Sequence, residues 1–162
     1  MNTAYLILGS NVGDRFQNLN TATQLINESA GNIRKKSEIY VTAAWGNTGQ
    51  PDFLNQALLI ETPLPASELL SALLTIEQML GRVRNSVKWA ERTIDIDILF
   101  YNNDIIDDAQ LKVPHPFIQE RKFVLVPLSE IAASFVHPKL KKSISQMLSE
   151  CTDDLETAKL ER

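Results

Sequence analysis

Four cations and two carboxylates crowd into one stretch of this chain, Arg82-Val83-Arg84-Asn85-Ser86-Val87-Lys88-Trp89-Ala90-Glu91-Arg92-Thr93-Ile94-Asp95-Ile96-Asp97. Arg82, Arg84, Lys88 and Arg92 are suited to phosphate oxygens, and Asp95 and Asp97 to the divalent cation that accompanies them. Strand residues alternate faces, so Asp95 and Asp97 would project side by side while Ile94, Ile96 and Ile98 enter a core behind them. Two neighbouring carboxylates repel unless a cation neutralises them, and Mg²⁺ held by carboxylates and substrate phosphates does so. A D-x-D on its own also describes an ordinary solvent-facing strand. The upstream cations favour phosphate transfer.

A second group of side chains surrounds a turn-rich loop. Trp45 and Phe53 could stack on a flat ring, while Thr42 and Asn55 could read its edge by hydrogen bonds. A surface loop leading into a core strand at Phe53 fits the same residues equally well. Gly9-Ser10-Asn11-Val12-Gly13 stands where a strand should turn into a helix. It could offer backbone N–H groups to an anion, but a tight turn needing glycine is the simpler reading.

Several common chemistries are missing from the sequence. It contains neither G-x-x-x-x-G-K-[ST] nor G-x-G-x-x-G. His115 and His137 are the only histidines, which disfavours a histidine-based metal site, and no Ser–His–Asp triad follows from spacing. The one cysteine, Cys151, excludes an internal disulfide and offers no zinc framework.

The elements that must position these groups alternate along the chain. Thr3 to Leu8 reads as a strand ended by Gly9-Ser10-Asn11. Asp14 caps a helix with Phe16, Leu19, Ala22, Leu25 and Ile26 at helical spacing, stopped at Gly31-Asn32. Strands are expected over Ile33 to Val41 and Phe53 to Glu61. Pro63 and Pro65 follow, then a helix capped by Ser67 that carries Leu69, Leu70, Leu73, Ile76, Glu77 and Leu80 to Gly81. Ile94 to Tyr101 is a fourth strand, and Asn102-Asn103 turns into Ile105-Ile106. Val113-Pro114-His115-Pro116 is too proline-rich for regular structure. Phe123 to Ile131 suggests a helix interrupted at Pro127, and Ile144, Met147 and Leu148 a last one. The polar tail from Thr152 is expected to fray. Helices on a sheet with hairpin-length turns favour an α+β sandwich over a doubly wound parallel sheet.

At 162 residues the chain is expected to be a single domain spanning 1–162. Its hydrophobic content of 44% and charged content of 22% are those of a soluble globular protein. A net charge of −4 argues against a broad nucleic-acid surface. Local cations in an acidic chain suggest instead a focused site for a small anion. No membrane-length apolar run or basic leader is visible, so a cytoplasmic location is expected.

The chain resembles the 6-hydroxymethyl-7,8-dihydropterin pyrophosphokinase family. The resemblance runs through Leu8-Gly9-Ser10-Asn11, Pro51-Asp52-Phe53-Leu54-Asn55, Gly81-Arg82-Val83-Arg84 and Lys88 to Leu99. It continues through Val113-Pro114-His115-Pro116 and Glu120-Arg121-Lys122-Phe123-Val124-Leu125-Val126-Pro127-Leu128. It implies a ferredoxin-like α/β sandwich with a mainly antiparallel sheet and helices on both faces. It also implies transfer of diphosphate from ATP to a pterin alcohol, with AMP released, in folate biosynthesis. Asp95 and Asp97 correspond to ligands of two Mg²⁺ ions. Arg82, Arg84 and Arg92 correspond to the polyphosphate clamp, with Arg82 and Arg92 counted among the catalytic groups beside the two aspartates. His115 and Arg121 match contacts to the nucleotide or its phosphates, and Glu77, Ile98, Leu111 and Lys112 match other parts of the nucleotide site. Thr42, Ala43, Ala44, Trp45, Phe53, Asn55 and Phe123 match the pterin pocket. Trp89 matches a mobile-loop residue that closes over both substrates. Gly9, Ser10 and Asn11 are read as structural. Trp45 and Ala90-Glu91 depart from the residues frequent in the family.

The expected partners are therefore small molecules, ATP and the dihydropterin alcohol, with no nucleic acid, no membrane and a monomeric chain. Two other readings use the same residues. One is a different D-x-D phosphotransferase or nuclease, which a pterin-dependent AMP-release assay separates. The other is a non-catalytic ligand-binding or RNA-binding module, disfavoured by the low pI and by aromatics that do not alternate with basic residues.

Overall fold

A computed structural model describes residues 1–43, 51–81 and 93–161. Ala44, Trp45, Arg82, Arg84, Lys88, Trp89 and Arg92 lie outside the described residues. The chain order is β1 (Asn2–Ser10), α1 (Arg15–Ser29), β2 (Asn32–Lys36), β3 (Tyr40–Thr42), β4 (Phe53–Thr62) and α2 (Ala66–Met79). Then follow β5 (Asp95–Tyr101), β6 (Ile106–Asp107), β7 (Lys112–Val113), α3 (Lys122–Ala132), α4 (Ile144–Glu150) and β8 (Thr157–Lys159). A short 3₁₀ turn, Ile118–Glu120, precedes α3.

The main sheet has the order β5-β1-β4-β3-β8, with β2 also on β4, and every pairing in it is antiparallel. With β2 and β3 taken as one flank of β4, this is the split β-α-β arrangement of a ferredoxin-like sandwich. Alternation sorts the apolar side chains into two layers. Ala4, Leu6, Leu8, Leu54, Leu58, Ile60, Ile96 and Ile98 pack under α1 and α2. Ile7, Ala57, Leu99 and Phe100 pack under α3 and α4. A bulge in β5 lets both Leu99 and Phe100 enter the second layer, since Phe100 pairs with Tyr5 and Ile98 with Leu6.

The cap of α1 is as expected: the Gln17 N–H donates to Asp14 Oδ1 at 3.0 Å. Its buried stripe is Leu19, Ala22 and Ile26. It ends where Gly31 presses against β4, because a Cβ there would lie 2.4 Å from the Glu61 carbonyl oxygen. For α2 the cap differs from expectation: Pro65 is the N-cap, no side chain caps it, and Ser67 sits inside the first turn. Proline presets the entry dihedral without needing a donor.

Three further departures have physical causes. The strand expected over Ile33 to Val41 is broken. Ser37 turns its hydroxyl toward β4, accepting the Ala57 N–H at 2.9 Å, and Gln56 Nε2 donates to the Ser37 carbonyl at 2.8 Å. Glu130 of α3 holds the break from outside, accepting the Glu38 N–H at 2.9 Å and the Tyr40 hydroxyl at 2.6 Å. Burial, followed by that carboxylate, pushes the Tyr40 phenol up to about 12. The α3 helix runs through Pro127 rather than stopping there. Part of the tail expected to fray is instead β8, an edge strand on β3.

Candidate active site

The β5 strand begins with the two carboxylates. Asp95 and Asp97 are half-buried and alternate with buried Ile94, Ile96 and Ile98, as the sequence pattern predicts. They stand on the α3 side of the sheet, where Asp95 pairs with Gly9 and Asp97 with Ile7. From the opposite layer, α2 brings Glu77 beneath the same strand. Glu77 is only 3% exposed, and it accepts the Ile96 N–H at 2.7 Å. Ile96 is the residue between the two aspartates, so a buried carboxylate fixes the backbone that carries both.

Next to the pair, the missing side chain of Gly9 leaves room for side chains that come from β4. Gly9 belongs to β1, not to a turn, and a Cβ on it would stand 2.9 Å from Asn55 Oδ1 and 3.4 Å from the Phe53 ring. The row Asp95–Gly9–Asn55–Tyr40 crosses four strands on one face. At about 4.8 Å per strand, Asp95 and Asn55 are about 10 Å apart across Gly9. Asn55 is buried, and its Nδ2 has no hydrogen-bond partner among the described residues. A buried amide donor left unpaired in the protein is an opening for a ligand acceptor.

The rest of the glycine-rich motif braces this part of the sheet. Ser10 Oγ accepts from Asn18 Nδ2 at 3.1 Å, and Asn11 Nδ2 donates to the Pro51 carbonyl at 3.3 Å. Arg15 Nη1 donates to the Asp52 carbonyl at 2.8 Å. Together they anchor the residues that lead into Phe53. Thr42 and Phe53 are register partners on β3 and β4. The Thr42 hydroxyl is already engaged: it donates to the Glu156 carbonyl at 2.9 Å and lies 2.7 Å from Thr157 Oγ1. Ala43 follows at the edge of the described residues.

Across β5, His115 is held by its backbone N–H to the Leu99 carbonyl at 3.0 Å, and its Nδ1 accepts the Phe117 N–H at 3.3 Å. With Nδ1 accepting, the neutral ring carries its proton on Nε2. Burial and then the Arg121 guanidinium push this imidazole down to about 4, against the opposing pull of Asp95. Arg121 places its guanidinium carbon 4.9 Å from the Phe117 ring centre and 5.8 Å from that of Phe123. The sequence reading missed Phe117; its position two residues after His115 and four before Arg121 was the available signal.

Not every expected nucleotide residue shares this face. Ile98 is 4% exposed and packs with Glu77's layer, against α1 and α2. Leu111 is half-buried on the same side, and Lys112 is exposed and paired with Asp107. The structure therefore assembles Asp95, Asp97, His115, Arg121, Phe53, Asn55 and Phe123 on the α3 face, with Glu77, Ile98 and Leu111 behind β5.

The profile of the 7,8-dihydro-6-hydroxymethylpterin-pyrophosphokinase family matches residues 5–133. A 2-amino-4-hydroxy-6-hydroxymethyldihydropteridine pyrophosphokinase of Aquifex aeolicus is 41% identical over 152 residues, covering 94% of each chain. Its namesake from Bacillus subtilis is 47% identical over 131 residues, 80% of this chain and 78% of that one. Among solved structures, a wild-type Plasmodium falciparum HPPK-DHPS with SDX-DHP matches 93% of this chain with a TM-score of 0.72 at 17% identity. This chain spans 43% of that longer one, and the likeness concerns the fold.

Proposed function

This chain belongs to the 7,8-dihydro-6-hydroxymethylpterin-pyrophosphokinase family, and from that premise we propose that it transfers diphosphate from ATP to the hydroxymethyl group of 6-hydroxymethyl-7,8-dihydropterin, releasing AMP, in folate biosynthesis. The observation that carries this reading is the row Asp95–Gly9–Asn55, which sets a carboxylate pair on the same sheet face as a buried amide donor that has no partner among the described residues, with only a glycine between them. It provides for a charged phosphate chain at one end and a flat polar ring at the other.

In this reading Asn55 Nδ2 donates to an acceptor on the ring edge, while Phe53 and Phe123 bound its faces. Thr42 and Ala43 contribute backbone to the same wall, and Ala44, Trp45 and Trp89 complete it from outside the described residues. Arg82, Arg84 and Arg92 hold the polyphosphate, arginine being suited by its planar fork to paired charge-assisted bonds. Neutral His115 donates from Nε2 to a phosphate oxygen, adding a hydrogen bond without a further charge. Arg121, steadied by Phe117 and Phe123, supplies a cation whose direction is fixed. Glu77 acts on the nucleotide site through β5, and Ile98, Leu111 and Lys112 border it from behind the strand. The β-phosphorus is attacked by the pterin hydroxyl and AMP leaves, so charge grows on the transferred and leaving oxygens. Positioning and preorganised cations then lower the barrier.

Asp95 and Asp97 fit Mg²⁺. Among the described residues no cluster of three metal-binding side chains exists, and Mg²⁺ takes one or two carboxylates and completes its shell with water and phosphates. When bound, two such ions would neutralise the polyphosphate and activate the attacking hydroxyl. We propose a cytoplasmic monomer acting on small molecules; no helix among the described residues is long and apolar enough to cross a membrane.

The test is AMP formation from ATP and the dihydropterin alcohol, with and without Mg²⁺. Turnover should require all three. Asp97→Ala should abolish it while leaving pterin binding within a few-fold of wild type. Full activity in that variant would sink the metal assignment.

A further inference from the structure

We propose that residues 152–160, beyond the part of the chain matched by the family profile, form a strap that positions both walls of the ring site; this rests on the pterin reading above. The strap leaves α4 and makes two attachments. At the first, Asp153 Oδ2 accepts the Lys122 N–H at 3.0 Å, while its Oδ1 accepts the Leu155 N–H at 3.0 Å. Lys122 is the first residue of α3, whose own N-cap, Arg121, makes no side-chain capping bond. Asp153 thus supplies from a distant segment the acceptor and negative charge that a helix N-terminus favours. The capped turn carries Arg121 and Phe123.

At the second attachment β8 pairs with β3 in the register Tyr40–Lys159, Val41–Ala158 and Thr42–Thr157. The Leu160 N–H adds a bond to the Ile39 carbonyl at 2.7 Å. The single proton of the Thr42 hydroxyl goes to the Glu156 carbonyl, so Thr157 Oγ1 is the donor in the contact between the two hydroxyls. The β3 strand has only three residues, and without β8 it would be an open edge. Thr42 and Ala43 therefore inherit their position from the strap. From Thr152 to Glu161 no residue is fully buried, so the strap acts by directed hydrogen bonds more than by filling a core.

The two attachments predict different kinetic signatures. Asp153→Ala should raise KM for both the pterin alcohol and ATP, with kcat/KM falling about tenfold, since small misplacements of contacting groups are amplified. Asp153→Asn keeps one of the two acceptor oxygens and gives up the charge, so it should recover only part of the loss. Thr157→Val should raise KM for the pterin alcohol only, and Thr157→Ser should restore it. Amide exchange supplies a readout independent of turnover. It should quicken at 121–124 in Asp153→Ala and at 40–43 in Thr157→Val, with circular dichroism unchanged in both. Wild-type KM values together with wild-type exchange in both alanine and valine variants would overturn the strap. Absent turnover in the wild-type enzyme, with the exchange pattern intact, would refute the pterin reading and leave the brace standing.

Discussion

Glu77 is the residue whose replacement most directly separates two roles. The residue is 3% exposed, and its carboxylate accepts the Ile96 N–H at 2.7 Å, between the two aspartates. Glu77→Ala removes the acceptor and strands a buried N–H, which costs about 1–3 kcal/mol, and the vacated space adds to it. A loss of about 2–4 kcal/mol in a domain of this size lowers Tm by about 4–16 °C. Glu77→Gln keeps an acceptor oxygen for the Ile96 N–H and weakens that bond by its charge assistance, about 1 kcal/mol, or about 2–4 °C. Catalysis should follow the same order. With Ile96 untethered, Asp95 and Asp97 drift together, and a displacement near 1 Å is worth up to about 100-fold in rate. The assay is calorimetry on the three proteins, then steady-state AMP release well below the lowest Tm. The expected result is a large kcat loss in the alanine variant and a small one in the glutamine variant. If the alanine variant keeps its Tm and kcat and shows only a raised KM for ATP, Glu77 is a nucleotide contact and not a strand clamp.

Two further outcomes follow from other positions. Gly9→Ala puts a Cβ 2.9 Å from Asn55 Oδ1. It should raise KM for the pterin alcohol about tenfold while costing about 1–3 kcal/mol of stability by overpacking; an unchanged KM would remove Asn55 from the ring site. His137 is buried, and its Nδ1 accepts the Lys139 and Leu140 N–H groups at 3.1 and 3.0 Å. Burial and then Lys139 lower its pKa from 6.5. The folded protein therefore resists the proton that the unfolded chain accepts, so this stabilisation is full above about pH 6.5 and is lost as the pH falls through the folded pKa. His115 acts with the same sign. Tm measured from pH 7.5 to 5.5 should fall for wild type and fall less steeply for His137→Asn; identical slopes would refute the assignment.

What could be seen in advance was whatever a local period encodes. The Ile94-Asp95-Ile96-Asp97-Ile98 alternation fixed the two faces of β5, and Asp14 announced α1, because strand pleat and helix cap are set by adjacent residues. The Leu69, Leu73 and Ile76 stripe likewise located α2. What escaped depended on distant partners. Gly9 reads as a turn until Asn55 and Phe53 arrive from β4 to occupy the space beside it. A polar tail has no reason to be ordered until β3 presents an open edge and α3 an uncapped first turn. The break at Ser37 requires Ala57 and Glu130, neither of which is near in sequence. Phe117 went unremarked because its ring matters only where Arg121 folds back over it. The candidate residues from Arg82 to Arg92 lie outside the described part of the chain, so their assignments rest on the sequence.

The divided edge of β4 separates two kinds of freedom. One half of that strand faces Asn32–Lys36 and the other Tyr40–Thr42, with the Ser37 break between them held by Glu130. The outer segment carries exposed charge and no candidate site residue, whereas the inner one carries Thr42 of the proposed ring site. Variation in the first should leave turnover untouched, and variation in the second should retune substrate preference. A single strand thus serves as a partition, allowing the surface of one flank to diversify while the other stays under the demands of chemistry.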